Sequence, residues 1–217
     1  MPEPGDIREL PLFLLNTVLF PGMALPLKVF EPRYRQMMDD CIAGDKTFGV
    51  ILIKQGYEVG EPAVPHKMGT TALIEDIQPQ RDGTLAVATE GVQRFTLLEM
   101  RQSRPYPLGV VEFQGPDDAM GDGAMAEIVR DTGERVMRRL MALNHEWVRS
   151  LTLPREPEAL SYLLAARLPV EAGVKQRLLE SNLTDRLRRI LRVLQAEERQ
   201  IEQQLAERTW LRGALLN

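Results

Sequence analysis

The chain has 217 residues, 44% apolar and 27% charged, and 27 basic against 31 acidic side chains leave a formal net charge of −4. That composition excludes a disordered, collagen-like or disulfide-stapled protein, and the mild acidity disfavours electrostatic capture of nucleic acid or anionic lipid. A single cysteine, Cys41, two histidines, His66 and His145, and four serines (Ser103, Ser150, Ser161, Ser181) exclude an internal disulfide and any multi-cysteine metal site, and leave little catalytic machinery.

The N-terminus, Met1-Pro2-Glu3-Pro4-Gly5-Asp6, is acidic and Pro-rich and has no leader character. Val18-Leu19-Phe20 then precedes a Pro21-Gly22 turn. Leu25-Pro26-Leu27-Lys28-Val29-Phe30 alternates with a period of two, and Pro26 predicts an edge or bulge position. Pro32 is placed for a first helical turn, and the helix is expected to run to about Ala43 and stop at Gly44. Thr47-Phe48-Gly49-Val50-Ile51-Leu52-Ile53 reads as a strand buried on both faces. Strands over 70–77 and 85–89 follow, separated by the turn Arg81-Asp82-Gly83-Thr84, and strands over 94–98 and 108–113 close the set. Many short strands and one inserted helix predict a small closed or partly closed β barrel.

The second half changes period. Val129, Val136, Leu140, Leu143 and Trp147 form one stripe of a helix over about 123–149. Leu160, Leu163, Leu164 and Leu168 mark a second helix, with Pro157 near its start, and Val174 and Leu178 a short third. The fourth runs over about 184–210 with Leu187, Leu191, Leu194, Ile201 and Leu205 in register. Glu198 interrupts that seam, Thr184 is placed as its N-cap, and Asp185 suits the positive end of the helix dipole. Four helices with short joints predict an antiparallel bundle.

Composition divides the chain at the same place. Residues 1–115 hold 11 of the 15 prolines and 11 of the 16 glycines, and carry a net charge of 11 − 15 = −4. The Gly-rich segment around Gly115 to Gly123 is the natural boundary, so two domains are expected, at 8–115 and 123–212. The longest apolar runs, such as Val50-Ile51-Leu52-Ile53, fall far short of the ~20 residues that span a bilayer, and a cytoplasmic, reduced setting is expected.

Catalytic signatures are absent. No glycine is followed directly by lysine, so the pattern G-x-x-x-x-G-K-[ST] cannot occur. No serine lies in G-x-S-x-G. Cys41 reads as a core thiol, His66 and His145 as surface or satisfied histidines, and Asp39-Asp40 and Asp117-Asp118 as solvated charge. Two segments stand out. Phe30-Glu31-Pro32-Arg33-Tyr34-Arg35 joins a strand to a helix, and Glu90-Gly91-Val92-Gln93-Arg94-Phe95 joins two strands. Their architectural reading pairs Glu31 with an arginine, gives Gly91 a tight turn and packs Tyr34.

At these residues the chain resembles the N-terminal substrate-recognition domain of the ATP-dependent Lon proteases, and in particular the bacterial stand-alone proteins that contain little else. The matching blocks are Leu10-Pro11-Leu12-Phe13, Asn16-Thr17-Val18-Leu19-Phe20-Pro21-Gly22, Leu25-Pro26-Leu27 and Val29-Phe30-Glu31-Pro32-Arg33-Tyr34. Phe48-Gly49-Val50, Gly69-Thr70, Asp82-Gly83-Thr84, Glu90-Gly91 and Arg94-Phe95 continue them, and Leu168-Pro169-Val170 and 175–180 extend the likeness into the helices. The resemblance implies an α+β fold: a PUA-like β pseudobarrel followed by a C-terminal helical bundle. It also implies recognition of unfolded or tagged polypeptide segments. The length leaves no room for the ATPase and Ser-Lys peptidase modules of those proteases, so a non-catalytic module without cofactor or metal is expected.

Candidate contacts for such a segment are Met23, Phe30, Tyr34, Phe95 and Tyr106, with Arg94 as an orienting charge, in a chain with 10 methionines. Two alternatives compete. PUA-like barrels also bind RNA, against which the acidic first half counts. A small-molecule or hydrolytic site would gather Glu31, Glu90 and Arg94. The apolar terminus Trp210-Leu211-Arg212-Gly213-Ala214-Leu215-Leu216 is expected to dock on its own bundle or on a second copy of the chain. A separate protease or chaperone is a possible partner by family analogy alone.

Overall fold

The computed structural model describes residues 2–58, 63–118, 123–143 and 152–214, with side chains described up to Gln203 apart from Ala142 and Leu143. His145 and Trp147 therefore lie outside the described residues, as do the side chains of Leu143, Leu205 and residues 210–216. The chain is mixed α+β, with six strands in one sheet and five helices among the described residues. Its contacts divide it into two compact units, residues 1–117 with 169–180, and 118–168 with 181–217.

In the first unit, β1 (Ile7–Leu15), β2 (Ala24–Val29), β3 (Thr47–Gln55), β4 (Val64–Pro79), β5 (Leu85–Arg101) and β6 (Leu108–Phe113) pair in the order β2-β5-β4-β3-β1-β6. β6 also pairs with β5, so the run of pairings returns to β5. β1 and β3 are parallel from Leu12↔Gly49 to Leu15↔Leu52, and the other pairings are antiparallel. Helix α1 (Pro32–Ala43) begins at its proline and ends before Gly44, as the sequence predicts.

Two apolar clusters follow from strand alternation, which sends successive side chains to opposite faces. Leu10, Leu12 and Leu14 join Ile51, Ile53, Phe95, Val111 and Phe113. Phe13 and Leu15 join the cluster formed with Tyr34, Met37, Met38 and Cys41 of α1. The central part of β3 is buried on both faces, as its continuous apolar run predicts. β2 lies at the end of the sheet order and Pro26 sits opposite Ala88 of β5. Met23 O and Gly22 N bond Gly91, so the odd residues of β2 face β5 and Pro26 faces outward, where a missing N–H costs no ladder bond.

The sequence predicts separate strands over 85–89 and 94–98 joined by a Gly91 turn. β5 is instead one continuous strand of 17 residues. A bulge bends it: Thr70 opposes Arg94 and Ala72 opposes Gly91, so Thr71 alone faces Val92 and Gln93. The Thr71 hydroxyl accepts from Gln93 N (3.1 Å) and donates to Gln93 O (3.2 Å), satisfying the backbone that the bulge removes from the ladder. The halves of β5 then serve different neighbours, the first pairing with β2 and the second with β6.

The first unit also contains α4 (Ala172–Leu179). Gln176 Nε2 donates to Met68 O of β4 at 2.9 Å, and Arg94 Nη1 donates to Leu179 O at 3.0 Å. In the second unit α2 (Gly123–Leu143), α3 (Pro157–Arg167) and α5 (Leu183–Ala214) pack on one another. Val129, Val136, Leu160, Leu164, Leu187, Ile190 and Leu194 are buried there. A Cβ on Gly133 would lie 3.1 Å from Leu164, so α2 and α3 cross closely at that glycine. Glu198, the break in the α5 seam, bonds Arg135 (2.7 Å) and reaches Arg139 (3.2 Å) on α2. The cap of α5 is Asn182, not Thr184: Asn182 Oδ1 accepts from Asp185 N at 2.9 Å.

Candidate functional site

The predicted contact residues fall into two groups. Tyr34, Phe95 and Tyr106 are core side chains, each no more than 3% exposed. Tyr34 stacks on Phe13 with ring centroids 4.0 Å apart. Phe95 fills the space left by two glycines, since a Cβ on Gly49 or Gly69 would lie 2.8 or 2.5 Å from its ring. The Tyr106 hydroxyl donates to Asp40 Oδ2 at 2.5 Å, and burial and this carboxylate push its phenol up to about 12. None of the three presents a surface to a ligand.

Arg94 is also buried. Its guanidinium donates to Asp117 at 2.7 Å and to the Leu179 carbonyl. Asp117 is thus a buried ion-pair partner and not the solvated charge expected from Asp117-Asp118. Glu31 pairs with Arg33 at 2.9 Å, as the architectural reading holds. Glu90 is exposed on β5 between Ala24 of β2 and Leu73 of β4. The three residues grouped as a small-molecule site are each occupied or displayed separately. Gly91 makes no turn; it meets the Phe20 carbonyl and exchanges backbone hydrogen bonds with Gly22 and Met23.

Phe30 is 58% exposed and Met23 is half-buried against the α1-side core. The start of α1 links Phe30 to a second exposed aromatic. Arg33 donates to Glu31 and to the Glu58 carbonyl (3.2 Å), beside Tyr57, which is 81% exposed. Tyr57 has no helical or strand pattern around it, so nothing in the sequence marks it.

A cavity of about 410 Å³ opens at the bulge of β5, lined among others by Arg8, Leu10, Thr71, Leu73, Gln93 and Phe113. Its residues come from five strands and share no motif, so the sequence does not announce it. The side-chain amide oxygen of Gln93, Oε1, is buried without a hydrogen-bond donor.

Cys41 is buried, and burial, with Asp45 and Asp40 adding, pushes its thiol up to about 12, away from nucleophilic use. Among the described residues no group of three or more His, Cys, Asp and Glu side chains could hold a metal ion, and no helix is long and apolar enough to cross a membrane.

Comparison with known proteins gives one family. The ATP-dependent protease La (LON) substrate-binding domain matches residues 9–196. Lon protease 1 of Herpetosiphon aurantiacus is 28% identical over 94% of this chain and 26% of its own length, and Lon protease 2 of the same organism is 30% identical over 87% and 24%. The chain thus spans about a quarter of the length of the curated relatives it matches, and the family matched is a substrate-binding domain. Among solved structures, a Lon N-terminal domain protein from Xanthomonas campestris is 30% identical, with a TM-score of 0.65 over 85% of this chain and 98% of that one. The N-terminal domain of the Mycobacterium avium complex Lon protease, at 18% identity and a TM-score of 0.68, shares the fold. With the family matched over 188 of 217 positions and a Lon N-terminal structure similar across 98% of its length, the chain belongs to the Lon substrate-binding domain family.

Proposed function

We propose that this protein is a non-catalytic module that binds unfolded or extended polypeptide segments. Membership of the substrate-binding family across residues 9–196 carries the reading. The exposed aromatics Phe30 and Tyr57 give it a chemical basis: apolar surface that a folded protein would otherwise cover. We read the pairings from β5 through β4, β3, β1 and β6 back to β5 as the PUA-like pseudobarrel, and α2, α3 and α5 as the bundle. A cytoplasmic setting, and delivery of bound segments to a separate protease, belong to the same proposal.

The test is a fluorescence anisotropy titration with a labelled, reduced and carboxymethylated protein that stays unfolded without denaturant. Saturable binding is expected, weakened about tenfold by a Phe30→Ser, Tyr57→Ser double variant with unchanged thermal stability. Absence of binding to the unfolded protein at any accessible concentration contradicts the proposal.

A further inference from the structure

We propose that the free edge of β1 over residues 7–9, with the 410 Å³ cavity beside it, receives an extended polypeptide segment by strand addition. This adds a backbone-pairing surface to the function proposed above and rests on that reading.

The edge follows from the hydrogen-bond register. Phe113 N donates to Asp6 O, and Leu12 N donates to Pro107 O. Backbone groups alternate sides along a strand, so Arg8 and Leu10, between these even-numbered residues, also face β6. The backbone groups of Ile7, Glu9 and Pro11 therefore face the other way. β3 meets β1 only from Leu12 onward, so among the described strands none lies beside Ile7 and Glu9. Pro11 fits this side: its missing N–H falls where no ladder bond to β6 is lost.

The chemistry of that edge selects its occupant. Two residues in extended conformation, each offering a donor and an acceptor on the same side, match the backbone of another extended chain. The cavity adds a side-chain site. Leu10 lines it together with Arg8, Thr71, Leu73, Gln93 and Phe113. A residue paired opposite Arg8 places its side chain on Arg8's face of the strand, at the cavity, which has room for a large apolar group.

A second copy of the chain is the poorer occupant. Two β1 edges pairing Ile7 with Glu9 would set Arg8 directly opposite Arg8, a like-charge pair that opposes association. The occupant is a heterologous client segment with an apolar residue at that position.

Twelve-residue peptides tiled across the reduced, carboxymethylated protein supply the probe. The tightest binder is compared with versions N-methylated at single backbone amides, against the wild-type chain and Glu9→Pro. Because the Glu9 N–H faces outward, proline there removes an edge donor and spares the β6 ladder. Expected are an about tenfold loss of affinity for Glu9→Pro, and losses from N-methylation at every second peptide residue only. Light scattering is expected to show one peptide on one protein chain. N-methylation on the wild-type chain needs no variant to fold. A peptide that binds equally well in all methylated forms overturns the strand-addition site and leaves the proposed function standing. Dimers of the protein that Glu9→Pro dissolves also overturn it, since a second copy would then hold the edge. Failure of every peptide and of the whole unfolded protein to bind overturns both.

Discussion

A Cβ added to Gly91 would lie 2.2 Å from the carbonyl oxygen of Phe20. The contact is backbone to side chain, so no rotamer change relieves it. Gly22 N donates to Gly91 O at 2.7 Å and Gly91 N to Met23 O at 2.9 Å, which ties the Pro21-Gly22 turn to the middle of β5. Gly91→Ala is therefore expected to destabilise the protein by about 1–3 kcal/mol, the range for forcing extra volume into a packed site. Gly83→Ala serves as the contrast: a Cβ there meets open space, and only the left-handed backbone at φ +79° opposes it. Urea unfolding of both variants measures the difference.

Arg94 and Asp117 form an ion pair with both side chains under 10% exposed. Asp117→Ala removes one carboxylate from beside the buried guanidinium and is expected to lose about 3–5 kcal/mol. Arg94→Met with Asp117→Leu replaces the buried pair by apolar side chains, and this double variant is expected to be more stable than Asp117→Ala. Denaturant midpoints of the two variants decide the point.

The Thr71 hydroxyl serves both backbone groups of Gln93 at the bulge. Thr71→Val keeps the shape and removes both bonds, leaving buried polar groups without partners. A cost of about 1–3 kcal/mol is expected, and Thr71→Ser is expected to lose less. Thermal melts of the two variants provide the comparison.

Cys41 and Tyr106 hold their protons more tightly folded than unfolded. Their values stand at about 12, raised from 9.0 and 10.0. Groups raised in this way contribute stability that is fully present below the unfolded values and lost as pH climbs through the folded ones. Stability is thus expected to hold below pH 9 and to fall between 9 and 12. Cys41→Ala is expected to remove the thiol's share of that slope. Urea unfolding across pH 7–11.5 tests the sign, and a thiol reagent at pH 8 is expected to label Cys41 only after denaturation.

Local chemistry made much of this fold legible. Pro32 and Gly44 bound α1, the run over 47–53 is a strand buried on both faces, and the 3.6-residue period found the helices. Non-local pairing was not legible. The bulge at Val92-Gln93 depends on Thr71, 21 to 22 residues away, and turned two expected strands into one. The period of Val174 and Leu178 marks a helix but not the surface it packs on, which Met68 and Arg94 supply. Among the candidate contacts, hydrophobicity could not separate exposed Phe30 from buried Phe95, because the difference lies in Gly49 and Gly69 on neighbouring strands. The cavity drew on five strands and no motif.

Recognition of unfolded polypeptide is proposed for the first unit. Residue-resolved amide exchange on the full chain, with and without a saturating amount of the reduced, carboxymethylated protein, tests it most directly. Slowed exchange is expected within residues 2–117, at Ile7 and Glu9 and near Phe30, with the strand centres unchanged. Unaltered exchange throughout residues 2–117 at saturation would contradict it.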